Sequence, residues 1–179
     1  MQRTADIQKL SHKYLPTDFV LTDWASLEPF FKELKERPIE SVANLEAWLM
    51  DLSELEACIS EDACWRQIKM TCDTTDKSLE DAFTFFCMEI QPKMQPYADA
   101  LNRKLIESPY TAALDQDKYH TYLRAVKKSI ELFRTENIPI QAELSVLQQQ
   151  YGTIAGKMTI EVGGKEYTCL LYTSDAADE

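Results

Sequence analysis

Between residues 42 and 59 the chain places Val42, Leu45, Trp48, Leu49, Leu52, Leu55 and Ile59 three or four residues apart. Only a helix brings such positions to one face, since 3.6 residues complete a turn. Ser41, just before the stripe, offers a hydroxyl to the free amides of a first turn. Asp51, Glu54 and Glu56 fall mostly off the stripe. The pattern continues less cleanly through Trp65, Ile68 and Cys72 and stops at "DTTD", so one long helix or two end to end are both open. With 45% hydrophobic residues and only 4 glycines, the chain can bury a core built around this element.

The same period recurs on either side. Residues 1–21, broken by Pro16, read as an extended lead-in, and 22–168 as a helical region. A first helix is expected from a Ser26 cap, with Pro29 in its first turn, an apolar face of Trp24, Leu27, Phe30, Phe31 and Leu34, and a stop at Pro38. A third begins near Asp76 or Ser78, with Leu79, Phe83, Phe86 and Ile90 as its stripe, and Pro92 and Pro96 should kink or split it. It resumes through "YADALNRKLIES" to Pro109. A fourth carries Tyr119, Tyr122, Leu123, Val126, Ile130 and Phe133. A fifth, from about Gln141, is expected to turn Leu144, Leu147, Tyr151 and Ile154 inward and to fail near Gly156. The period then switches to two. "MTIEVGGKEYT" predicts a β-hairpin over 158–168, turning at Gly163-Gly164. It would need to pack on the helices or on further sequence, because an isolated hairpin is marginal.

Charge and composition exclude several function classes. The formal net charge is −11, and without Asp175, Asp178 and Glu179 the chain stays acidic. A nucleic-acid partner would require a basic patch, and an anionic membrane surface likewise. No run approaches the roughly 18 apolar residues of a membrane span, and "MQRTADIQKLSHKYLP" has no apolar core of a leader. No nucleic acid, no membrane and a cytoplasmic location are the expectations. Cys58, Cys64, Cys72 and Cys87 form no C-x-x-C pair and have no histidine nearby, so they are expected as buried, reduced thiols rather than zinc ligands or disulfides.

No active site is legible. His12 and His120 are far apart, with no H-E-x-x-H. A carboxylate-bridged di-metal bundle needs Glu-x-x-His, and no histidine follows three residues after Glu54, Glu56, Glu61 or Asp62, which read as a solvated face. His120 reads as an ordinary helical histidine. The tryptophans and Phe83, Phe85 and Phe86 read as core, and the four glycines make no phosphate-binding loop. Catalytic residues, cofactor-binding residues and metal ligands are all expected to be none.

Four stretches in order, "LPTDFVLTDWASLEPFFKEL", "WLMDLSELEACISEDACWRQIKMTCDTTD", "FCMEIQPKMQPYADALNRKLIESPY" and "ELSVLQQQYGTIAGKMTIEVGGKEYT", give the chain a family likeness. It resembles the N-terminal region of oligoendopeptidase F-type zinc metallopeptidases, relatives of thimet oligopeptidase, over about residues 15–168. The resemblance implies a helical, non-catalytic lobe walling a channel that admits short unstructured peptides. It also implies a catalytic lobe of the same chain carrying an H-E-x-x-H helix, a glutamate as third zinc ligand, and zinc as Lewis acid. No residue here matches those positions, so zinc is expected in the parent protein and none in this portion.

The terminal run "CLLYTSDAADE", residues 169–179, resembles a translated sequencing adapter and is expected to be non-native. On that reading the chain is an N-terminal fragment ending at Thr168. The rival expectation is a stand-alone helical protein-interaction or scaffold domain without enzymatic activity. A metal-carboxylate bundle enzyme is a third.

Overall fold

The computed structural model describes residues 12–73 and 76–168. The described residues are mainly α, with six α-helices and a terminal two-stranded hairpin; the third helix expected from the sequence is split in two ahead of Pro92. Residues 1–11 of the expected lead-in and the whole 169–179 tail lie outside the described residues. The chain divides into two compact units, one holding residues up to Asp62 with Asp99–Glu131, the other Ala63–Ala98 with Leu132 onward.

The first unit is built on α1 (Trp24–Glu36), the front of α2 (Val42–Cys72), the end of α4 (Gln91–Glu107) and α5 (Gln116–Leu132). Helix α1 is capped by Asp23, not Ser26. The Asp23 carboxylate accepts from Ser26 N at 2.9 Å, while Ser26 Oγ lies 3.4 Å from Asp23 N, closing a capping box. The helix therefore starts three residues earlier than a Ser26 cap predicts, which puts Pro29 beyond the first turn, where its missing N–H leaves one internal hydrogen bond unmade. Ser41 caps α2 as expected, its Oγ accepting from Asn44 N at 3.1 Å. Leu45, Trp48, Leu49, Leu52, Leu55 and Ile59 are all buried, with Leu27, Phe31 and Leu34 of α1 and Leu101 and Leu105 of α4 in the same core. From α5 come Tyr119, Leu123 and Val126, but Tyr122 stays 38% exposed, one position off the line these three define.

Helix α2 is one continuous helix of 31 residues. Its C-terminal part corrects the sequence reading: Trp65, Ile68 and Cys72 are exposed, and Met70 is buried instead. The second unit has a smaller core, in which Met70, Phe86, Cys87, Ile90, Ile138 and Ala142 are buried.

Helix α3 (Lys77–Phe85) is capped by Asp76, which accepts from Ser78 N at 2.8 Å. A π-helical turn over Phe86–Ile90 joins it to α4, the Gln91 amide reaching back to Phe86 O. Pro92 explains the position of this wide turn. Its ring lacks an N–H and crowds the carbonyl four residues earlier, and widening the turn just before it relieves both.

Helix α6 (Asn137–Gly156) starts four residues earlier than expected and ends where Gly156 predicts. It is also turned the other way. Leu144, Leu147, Tyr151 and Ile154 are exposed, and Ile138, Ala142 and Gln149 are buried. Polar bonds tie the helix to its neighbours: Thr84 Oγ1 donates to the buried Gln149 Oε1 at 3.3 Å, and at the surface Gln95 Nε2 donates to Gln141 Oε1 at 2.8 Å. A small residue at Ala142 lets the backbones approach.

Strands β1 (Thr159–Val162) and β2 (Lys165–Thr168) pair antiparallel, with Ile160 opposite Tyr167. Gly163 and Gly164 have φ of 61° and 79°, the left-handed pair that a two-residue hairpin turn demands. Every residue of β1 is exposed, so its apolar side chains are not packed on the helices.

The thiols also depart from expectation. Cys87 is buried, Cys58 half-buried, and Cys64 and Cys72 exposed, because the last two ride on the solvent side of α2. Of the aromatics expected in the core, Trp48 and Phe86 are buried, whereas Trp65 and Phe85 are exposed.

Candidate functional site

The densest polar constellation in the first unit surrounds the end of α1. Arg37 follows the helix and cannot continue it, since Pro38 comes next. Its guanidinium bonds Glu33 through Nε and Nη2, at 2.8 and 2.7 Å, and Asp51 through Nη1 at 2.5 Å. It also lies over the Tyr14 ring at 5.3 Å. The Tyr14 hydroxyl donates to Glu33 Oε2 at 2.8 Å and sits 3.0 Å from Phe30 O. Burial first, then the Glu33 carboxylate, pushes the Tyr14 phenol well above its ordinary range. The hydrogen bond from Arg37 holds Glu33 below the usual carboxylate value.

Lys104 of α4 completes the cluster. Its Nζ donates to Leu34 O, Lys35 O and Arg37 O at 2.8, 2.9 and 2.5 Å, and lies 5.6 Å from the centre of the Trp48 ring. Trp48 Nε1 donates to the same Leu34 carbonyl at 2.8 Å. Burial, followed by the nearby Arg37 charge, lowers the Lys104 pKa. Chemically this is a helix end satisfied by a cation. Each ionised group in it already holds partners, which suits a structural joint and not a proton-transfer site.

Glu54, read from sequence as part of a solvated face, anchors the lead-in instead. Its carboxylate accepts from three successive amides, Lys13 N, Tyr14 N and Leu15 N, at 2.9–3.1 Å. Successive amides of this kind form an anion-binding nest. Burial raises the Glu54 pKa, but the three backbone bonds outweigh it and the net shift is downward. No sequence pattern marks Glu54, because its partners are backbone groups 39 to 41 residues away.

Two concavities remain. In the second unit, a cavity of about 810 Å³ is lined by Met70, Phe83, Gln148, Gly152, Thr153 and Met158, among others. Gln149 is among the lining residues, and its buried Nε2 has no hydrogen-bond partner among the described residues. In the first unit, His120, Arg124, Lys127 and Lys128 line a shallow groove along α5 with Glu131, which Lys128 meets at 3.1 Å. His120 is exposed there, away from His12, whose Nδ1 lies 3.2 Å from Pro16 O.

Zinc coordination calls for three or four converging nitrogen, sulfur or carboxylate ligands. Among the described residues, no three His, Cys, Asp or Glu side chains come together in this way. Nor is any helix among them long and apolar enough to cross a membrane. In comparisons with known proteins, the family model of the peptidase M3 N-terminal domain matches residues 16–133. No curated protein and no solved structure matches the chain.

Proposed function

The chain belongs to the peptidase M3 N-terminal domain family, and from that premise we propose that it is the non-catalytic lobe of a cytoplasmic, zinc-dependent oligoendopeptidase of the F type. The parent hydrolyses internal bonds of short, unstructured peptides. These helices form part of the wall of the substrate channel, and the peptide-bond chemistry and the zinc belong to a catalytic lobe of the same polypeptide outside residues 1–168. Residues 22–168 act as the lobe, and 169–179 are foreign to it.

The family match over residues 16–133 carries this reading. The absence of a converging ligand set among the described residues is compatible with it, because a lobe of this kind leaves the metal to another region. The test compares the 179-residue chain with the uninterrupted reading frame recovered from the source DNA. Quenched fluorescent peptides should be cleaved by the longer protein, with loss on chelation, and left intact by the 179-residue chain. Chelator-sensitive cleavage by the 179-residue chain alone would sink the proposal.

The exposed apolar stripe of α6 suits a lobe that docks on further sequence, and equally the second reading, a stand-alone interaction module. That reading requires the source DNA to encode "CLLYTSDAADE" followed by a stop.

A further inference from the structure

Along the outer face of α6 run Ile140, Leu144, Leu147, Tyr151 and Ile154, with Met158 just past the helix end. Each of the six is between 51% and 74% exposed. Their spacing is four, three, four, three and four residues, which is the a/d seam of a heptad repeat and not merely a wide amphipathic face. Lys157 caps the helix with φ of −88° and ψ of −6°, and Met158 follows it just outside the last turn. A row of six large apolar side chains open to water calls for a cover.

We propose that this seam pairs with the same seam of a second copy of the chain, antiparallel, about a two-fold axis near its midpoint. The pattern is self-complementary only in that direction. With a positions set against d positions, Ile140 meets Met158 of the second copy, Leu144 meets its Ile154, and Leu147 meets its Tyr151, each layer occurring twice as an isologous contact requires.

The flanking charges select the same register. Glu143 is the only charged residue of α6, and Lys157 follows directly after the helix. Antiparallel pairing sets Glu143 of each copy beside Lys157 of the other, and brings uncharged Gln148 and Gln150 together around the axis. A parallel pair would leave Glu143 facing Gln148 and Lys157 unmatched. In a chain of net charge −11, a helix with a single carboxylate also adds little self-repulsion to such a pairing. A partner helix of unrelated sequence would need to reproduce both the layers and the charge positions, whereas a second copy does so by symmetry.

Sedimentation equilibrium on the 179-residue chain tests this, with circular dichroism as the control for folding. The wild-type chain should dimerise with a dissociation constant of about micromolar order, as suits a small interface. Leu147→Lys, at an exposed position, should leave the monomer folded and abolish the dimer. Glu143→Lys and Lys157→Glu should each weaken it by roughly tenfold, because two attractive pairs become repulsive. The double variant E143K/K157E, which only exchanges the charges, should restore it. A chain that stays monomeric across the concentration range overturns the proposal, as does a dimer indifferent to Leu147→Lys or a double variant that fails to recover. A monomeric 179-residue chain whose Tyr151 becomes shielded only in a longer version of the protein also overturns it, in favour of docking by the rest of the polypeptide.

Discussion

Lys104 does for α1 what a residue directly after a helix usually does, satisfying carbonyls that have no amide of their own. It comes from another helix, 67 to 70 residues along the chain. Lys104→Met keeps the side chain's bulk and removes the three bonds, and should cost about 1–3 kcal/mol in urea unfolding. By contrast, Lys32→Met, which loses an exposed pair to Glu28, should change stability by less than about 0.5 kcal/mol. Glu54 gives a pH signature. Its folded pKa lies below the ordinary glutamate value of 4.5, so its contribution is fully present above that value and is lost as the pH falls through the folded one. Glu54→Gln should lower stability at neutral pH by about 1–2 kcal/mol and flatten the acid limb of the stability profile. Equal acid sensitivity in wild type and variant would remove Glu54 from this account. Neither residue was legible in the sequence. Local caps such as Ser41 and Asp76 announce themselves beside the helix they cap, but an ammonium or carboxylate that serves backbone far along the chain leaves no spacing to read.

At the scale of elements, periodicity predicted existence and type well, and facing only where the chain offered one choice. The stripe of α2 from Leu45 to Ile59 is buried throughout because no other face of that stretch is apolar. Helix α6 had two candidate faces. The more apolar one, with Leu144, Leu147, Tyr151 and Ile154, was expected inside, yet the face bearing Ala142 and Gln149 packs, since it can approach closely and bond to Thr84. Hydrophobic spacing alone does not register that preference. The rear of α2 repeats the lesson, where Met70 is buried and Trp65 is not. Leu52→Ala should therefore cost about 2–4 kcal/mol by opening a cavity in the first unit. Trp65→Ala should stay within about 0.5 kcal/mol despite removing the larger side chain. Chemical denaturation of the two variants side by side decides between burial and residue size as the predictor.

For the molecule as a whole, family membership was legible from the order of stretches that carry no chemistry by themselves, three of which, but for Leu15, fall within the matched residues 16–133. The candidate site was not, because what the fold builds are joints made of ordinary surface residues. Since the described residues bring no metal ligands together, adding zinc after a chelator should move the thermal midpoint of the 179-residue chain by no more than about 1 °C. A rise of several degrees would reveal a ligand set that the described residues do not provide. The hairpin has a practical consequence. At Gly163 and Gly164, no atom lies within 4 Å of where a Cβ would stand, and the turn closes on itself through β1 and β2 alone. Foreign sequence spliced between these two glycines would therefore meet no neighbour. An epitope or fluorophore-binding peptide placed there should report on the protein without disturbing either core.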